Sequence, residues 1–225
     1  MRSYPQLCSC RGEQAAELAM INCWQNWQAM DDEMHGTAEL SKVWSFDDLQ
    51  AHLASLPGDV DWRRYEIVDG VLVVSPAASL LHEFVCIDVA HRLKLTAPAD
   101  VAVLGAVAID LAPSYRVPDV VVLRREALYE RSLLVHPTEI LLGVEVVSPS
   151  SRTTDRITKP AQYAAAGIPN YWRIELDPEL SLTAYTLAEG AGVDAELGTW
   201  RAGEVAQLRE PFPVDIPIDE LVPLP

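Results

Sequence analysis

Lysine is scarce in this chain. It occurs only at positions 42, 94 and 159, and arginine supplies the other basic side chains. Basic residues total 17 against 33 acidic ones, a formal charge of −16. Such a deficit of positive charge opposes loose, whole-surface binding of DNA or RNA. It leaves room for a local basic cleft or a metal-dependent site, where a divalent ion offsets nearby carboxylates. Cysteine is sparse too, with residues at 8, 10, 23 and 86. Cys8-x-Cys10 has no second pair to complete a structural zinc site, so reduced thiols in a cytoplasmic protein are expected. His52, His82, His91 and His136 show no convincing metal-ligand spacing. No apolar run is long enough to span a bilayer, and the N-terminus lacks the basic start and apolar core of a signal peptide. The phosphate loop ending in Gly-Lys-Ser/Thr and the Gly-x-Ser-x-Gly elbow are both absent, which removes two common routes to phosphate binding and acyl transfer.

What is present is a large apolar fraction, 49% of 225 residues, enough for one sizeable core. Residues 1–40 carry no clean strand pattern, only a rough helical stripe between Ala15 and Met30. They are expected to be an extension of a domain covering 41–225, and Met20, Met30 and Met34 are alternative starts. Ser45 followed by Asp48 predicts a capped helix to about Leu56. Asp69-Gly70 between Arg64–Val68 and Val71–Val74 predicts a tight hairpin, with Glu66 and Val68 on one face. Ala78 to Leu95 predicts an amphipathic helix, with Leu81, Val85, Val89 and Leu93 on its apolar face and Leu80, Phe84 and Ile87 widening it. Strands are predicted over Val101–Ile109, Val117–Leu123, Leu141–Val147, Tyr171–Ile174 and Leu180–Leu187. A short helix is predicted over Ala161–Ala166, with Pro160 holding Lys159 extended. The tail is Pro-rich. This order predicts a mixed α/β core.

The stretch Leu141–Val147 is apolar on both faces, as a central strand should be, yet it contains Glu145. A carboxylate there requires a metal ion, a lysine or a proton to compensate it. Glu66 and Asp119 also sit in strand-like surroundings. Each of the three could serve as a structural carboxylate satisfied by its neighbours. Two of them converging from adjacent strands would make an oxygen-rich site suited to magnesium or manganese.

Arg64-Tyr65-Glu66-Ile67-Val68-Asp69-Gly70, Ser75-Pro76, His82, Pro118-Asp119, Glu145-Val146-Val147-Ser148-Pro149-Ser150, Asp155, Lys159, Tyr163 and Gly167-Ile168-Pro169-x-Tyr171-Trp172 together resemble the Uma2 family. These are restriction-endonuclease-like domains of the PD-(D/E)xK nuclease superfamily, and the resemblance covers roughly residues 44–190. It implies a restriction-endonuclease-like core, a mixed central β-sheet flanked by helices. It implies an Mg²⁺- or Mn²⁺-dependent endonuclease acting on DNA, with Asp119 and Glu145 as metal ligands and Glu66 as the family's upstream glutamate. The superfamily's usual lysine, two residues after the second acid, is replaced here by Val147, and Lys159 matches a lysine displaced to the following helix. Lys159 would orient water or stabilise charge on the phosphate. Glu66 would complete the metal shell or hold a second ion or water. His82 would contact phosphate or orient Glu66, or lie at the surface. Tyr163 would donate a hydrogen bond beside Lys159, or simply pack. Asp155 would fix Lys159 or solvate the loop. Arg124-Arg125, Arg131 and His136 would line a nucleic-acid path or belong to a solvated loop. Three functions remain open: a deoxyribonuclease, a relative that keeps the fold without turnover, and a hydrolase of another phosphoester such as RNA. A homodimer is the natural assembly for cutting two strands.

Overall fold

Ser45 opens the first helix by accepting the Asp48 N–H, while the Asp48 carboxylate accepts the Ser45 N–H at 3.0 Å. The predicted capping box thus forms, and α1 runs Phe46–Ser55. The computed structural model describes residues 42–130, 132–188 and 192–223. The expected extension and three of the four cysteines lie outside the described residues, as does Arg131.

The hairpin forms as predicted from β1, Tyr65–Val68, and β2, Val71–Val74. Asp69 and Gly70 both take positive φ, 49° and 80°, the backbone of the favoured two-residue turn. The next helix, α2, spans Leu80–Thr96 behind a Ser79 cap. Its buried face is Val85, Cys86, Val89 and Leu93, whereas Leu80, Leu81, Phe84 and Ile87 are exposed. The expected wide apolar face is therefore narrower, and it includes the cysteine.

One predicted strand is cut in two and another is shortened. Val101–Ile109 becomes β3, Val101–Leu104, and β4, Ile109–Leu111, in different sheets. Tyr115-Arg116 belong to β5, Ser114–Arg116, whereas β6 starts only at Val120 and runs to Arg124. Pro118 lacks the N–H that a continuous strand would need. The chain therefore passes from one sheet to the other at residues 117–119, and Asp119 sits at that crossing.

The long strand β7, Ile140–Val147, lies inside a six-stranded sheet with β8, Asn170–Glu175, β9, Ser181–Ala188, and β10, Gly192–Arg201, in the order β10-β9-β8-β7-β6-β3. Only β7 and β8 pair in parallel; the other neighbours are antiparallel. A smaller sheet has the order β2-β1-β5-β4. β11, Val205–Leu208, and β12, Val214–Pro217, make a two-stranded ribbon whose apolar residues join the core under α2. The mixed sheets and flanking helices match the expected α/β class.

The parallel connection from β7 to β8 carries the site. Thr154–Thr158 form a π-turn that runs into α3, Lys159–Ala165. Lys159 is helical, at φ −62° and ψ −49°, not extended as Pro160 predicted. Pro160 can neither donate to residue 156 nor tolerate its carbonyl close by, and the wider π-turn relieves both conflicts. Along β7, Leu142, Val144 and Val146 pack in the core beneath α2. Gly143 and Glu145 face α3 by strand alternation. Gly143 leaves space for the Tyr163 ring: a Cβ there would lie 3.3 Å from Tyr163 Cε2.

Candidate active site

Glu145 is compensated by a lysine, one of the three solutions its sequence context allowed. Lys159 Nζ donates to Glu145 Oε2 at 2.7 Å, and the Tyr163 hydroxyl donates to Oε1 at 2.7 Å. Burial is the largest influence on Glu145 and pushes its carboxyl well up. Lys159 opposes that push, and the negative charges of Asp119, Asp155 and Glu66 add to it. On Lys159, burial works against the ammonium, but Glu145 and then Glu66, Asp155 and Asp119 outweigh it, so the amine is held charged. Burial, then Glu145, drives the Tyr163 hydroxyl well above its ordinary range and keeps it a donor.

Lys159 meets two more carboxylates: Asp155 Oδ1 at 3.1 Å and Glu66 Oε1 at 4.0 Å. Asp155 is tied in by its own backbone, whose carbonyl accepts the Tyr171 hydroxyl at 2.6 Å. Glu66 is held from the far side. Arg116 Nη1 donates to its Oε2 at 3.0 Å, and the Val117 N–H donates to its Oε1 at 2.9 Å. Arg116, only 1% exposed, also donates from Nε to Gln162 Oε1 at 2.9 Å. One guanidinium thus joins β1, β5 and α3.

Asp119 takes up the end of the antiparallel ladder, where its Oδ2 accepts the Val146 N–H at 2.7 Å. His82 Nε2 lies 2.9 Å from the Val146 carbonyl oxygen and 3.4 Å from Asp119 Oδ2. His82 therefore steadies Asp119, not Glu66. Burial lowers its basicity, but the contact and charge of Asp119 outweigh this, and the ring titrates above its usual range. Cys86 Sγ follows at 3.5 Å from His82 Nδ1. Burial, then the charges of Asp119, Glu83 and Glu145, pushes its thiol up. His82, Cys86 and Asp119 are close enough to hold a metal ion.

Glu66, His82, Asp119, Glu145, Asp155 and Lys159 all line one cavity of about 1480 Å³, and Cys86, Arg116 and Val147 line it with them. Tyr163 touches it only through Glu145. Arg124, Arg125 and His136 do not line it, and Arg125 is spent on the carbonyls of Ala99 and Val101. The basic side chains that do line it include Lys94, Arg63, Arg64 and Arg152, of which Arg63 pairs with Asp61, Arg152 with Asp177, and Arg64 Nε donates to the Ser75 carbonyl. Sequence reasoning missed Arg116 and Gln162, whose partners are remote in the chain. It also missed Cys86, whose one signal was its place a helical turn after His82.

Mixed α/β sheets flanked by helices, with buried acids and a lysine between β7 and β8, are consistent with a nuclease-like fold. Residues 50–219, more than half of the chain, match the Uma2 family, described as "Putative restriction endonuclease", and the chain belongs to that family. Among solved structures, it is similar to the "putative nuclease belonging to DUF820 from Anabaena variabilis", with a TM-score of 0.50 and 15% identity. The alignment covers 69% of this chain and 84% of that one, and supports the likeness of fold. No curated protein matches the chain. No helix among the described residues is long and apolar enough to cross a membrane.

Proposed function

We propose that this protein is an Mg²⁺- or Mn²⁺-dependent endonuclease of the PD-(D/E)xK type that hydrolyses DNA phosphodiester bonds in the cytoplasm. The observation that carries this reading is the buried Lys159–Glu145 pair, set in one cavity with Asp119 and Glu66. The carboxylates that line the cavity are of a kind that suits a hard divalent ion, although the potential ligands already within 4.8 Å of one another are His82, Cys86 and Asp119. Glu66, Asp119, Glu145 and Asp155 are four carboxylates, against the two fixed cations Arg116 and Lys159. Oxygen donors of this kind favour magnesium or manganese. Asp119 and Glu145 would hold the ion, with Glu66 nearby. Both Glu145 oxygens already accept one bond each, and a carboxylate oxygen retains a further lone pair. When bound, the ion supplies charge against the phosphate and acidifies the attacking water.

The chain's own groups do the rest. The Val146 N–H and His82 fix Asp119. Tyr163 and Lys159 fix Glu145. The Lys159 ammonium stands where it can orient water or meet charge developing on phosphate oxygens. Lys94 and the remaining donors of Arg63, Arg64 and Arg152 would contact the flanking backbone. The cavity exceeds the usual volume of small-ligand sites, about 300–1,000 Å³, which favours a strand over a free nucleotide. A duplex cut requires two such sites, and a homodimer supplies them.

A second reading, a nuclease fold that binds without turnover, is favoured by one feature: apolar Val147 stands in the usual lysine position. Hydrolysis of single- and double-stranded DNA and of RNA with Mg²⁺ or Mn²⁺ separates the readings. Wild-type DNA cleavage lost in both Asp119→Ala and Glu145→Ala supports the nuclease. Cleavage unchanged in both variants overturns it, and binding without cleavage supports the second reading.

A further inference from the structure

His82 and Cys86 lie one turn apart on α2, and Asp119 approaches them from the start of β6. One ligand atom from each lies within 4.8 Å of the other two. The imidazole is already oriented as a metal-binding one. The Val146 carbonyl can only accept, so its 2.9 Å contact fixes the proton of the neutral ring on Nε2. Nδ1 then presents its lone pair toward Cys86 Sγ at 3.5 Å. Tetrahedral zinc bonded to one sulfur and one imidazole nitrogen holds those atoms about 3.6 Å apart, from its usual bond lengths. Metal-bound histidines commonly donate their second N–H to a backbone carbonyl or carboxylate. Cys86 and His82 both line the cavity, so an ion has a path to them.

Sulfur and imidazole are poor ligands for magnesium and good ones for zinc. We propose that His82, Cys86 and Asp119 form a binding site for a thiophilic divalent cation, zinc, and that zinc there shuts off the hard-ion site by claiming Asp119. Binding converts the Cys86 thiol to a thiolate and releases one proton to solvent, with no change of oxidation state. Three protein ligands leave the fourth position to water. Only the inhibitory consequence rests on the nuclease reading; the binding does not.

Cobalt(II) is the spectroscopic probe. Titrated into metal-free, reduced full-length protein, it should produce an intense near-ultraviolet thiolate-to-cobalt band that saturates at one ion per chain and is abolished by zinc. The band should vanish in Cys86→Ser and persist when Cys8, Cys10 and Cys23 are all replaced by serine. Cys86 is buried in the core, so Cys86→Ala is made beside Cys86→Ser, and a cooperative thermal melt retained in both ensures that loss of the band reports the ligand. Zinc affinity of Cys86→Ser should fall by about tenfold or more. Bound Mn²⁺, followed by its paramagnetic resonance, should be released as zinc is added. Zinc should inhibit Mg²⁺-supported cleavage, with the inhibiting concentration raised in Cys86→Ser relative to that variant's own uninhibited rate. Absence of the band, or its survival in Cys86→Ser, overturns the site. Zinc binding that leaves Mn²⁺ in place overturns the exclusion. A cobalt band in a protein with no cleavage under any metal leaves the zinc site standing and removes the nuclease reading instead.

Discussion

Lys159 Nζ and Glu145 Oε2 lie 2.7 Å apart, though fourteen residues and a π-turn separate them in the chain. Both side chains are nearly sealed from solvent, Lys159 at 7% and Glu145 at 2% exposure. A buried ion pair stripped of one member leaves an uncompensated charge, at a cost of about 3–5 kcal/mol. Here the loss of Lys159 strands Glu145 and also removes the cation beside Asp155, while Glu66 keeps Arg116 at 3.0 Å. Lys159→Met is therefore expected to lower the stability of the metal-free protein by about 3–5 kcal/mol in a denaturant titration. Lys159→Met should also reduce the cleavage rate more than it weakens Mg²⁺ binding. A stability loss below about 1 kcal/mol would mean that the carboxylates shed their charge instead.

Arg116 performs a different task. Its Nη1 serves Glu66 while its Nε serves Gln162, so the planar fork spans two elements at once. A lysine has three donors but one compact head group, which does not span acceptors set at two different nitrogens of the guanidinium fork. Arg116→Lys is expected to cost about 1–3 kcal/mol through the buried acceptor it leaves unpaired. Arg116→Met should cost more, since Glu66 then keeps only one hydrogen bond, from the Val117 N–H, and the more distant Lys159 ammonium at 4.0 Å. Equal stability of the lysine variant and wild type, measured by urea denaturation, would show that the fork is dispensable.

Elements defined by local chemistry could be read from the chain. The Ser45–Asp48 box, the Asp69-Gly70 turn and the doubly buried strand around Glu145 each have a cause within a few residues. The acids, the displaced Lys159 and Tyr163 were legible through the family resemblance. What was hidden depends on distant parts. Arg116 reads as an ordinary strand residue because its carboxylate partner lies fifty positions earlier. The apolar stripe of α2 misleads because Leu81 and Phe84 fit the helical period yet stay 42% and 44% exposed. Pro160 misleads because the π-turn before it absorbs the conflict that normally drives the preceding residue extended. The break between Leu104 and Ile109 and the late start of β6 after Pro118 each separate one sheet from the other, and the choice of sheet is a tertiary decision.

His82 carries a pH signature whose sign separates two causes. Burial alone would lower its pKa below the ordinary value near 6.5, whereas the Asp119 carboxylate at 3.4 Å raises it. The net shift is upward. The stabilisation from this pair is complete below the unfolded value and is lost as pH rises through the raised folded value. Imidazole proton resonances followed against pH should place His82 above 6.5 in metal-free wild type. Asp119→Asn should bring it below that value, because the desolvation remains and the charge is gone. An unchanged midpoint in Asp119→Asn would remove Asp119 as the cause.

Gly143 connects packing to the site. It lies two residues before Glu145 on the same face of β7, and the fully buried Tyr163 ring rests over it. Alanine would place its Cβ 3.3 Å from the ring edge, a contact that a shift of a few tenths of an ångström relieves. Valine adds two methyl groups where the ring has no free volume to retreat into, and overpacking of this kind costs about 1–3 kcal/mol. The ring that moves is the one whose hydroxyl holds Glu145 Oε1 at 2.7 Å, so the steric and polar losses are coupled. Gly143→Val and Tyr163→Phe should each be destabilising, and the double variant should lose less than their sum, because the hydroxyl bond can be lost only once. Denaturant titration of the four proteins measures that shortfall. Strict additivity would show that the ring gives way without releasing Glu145.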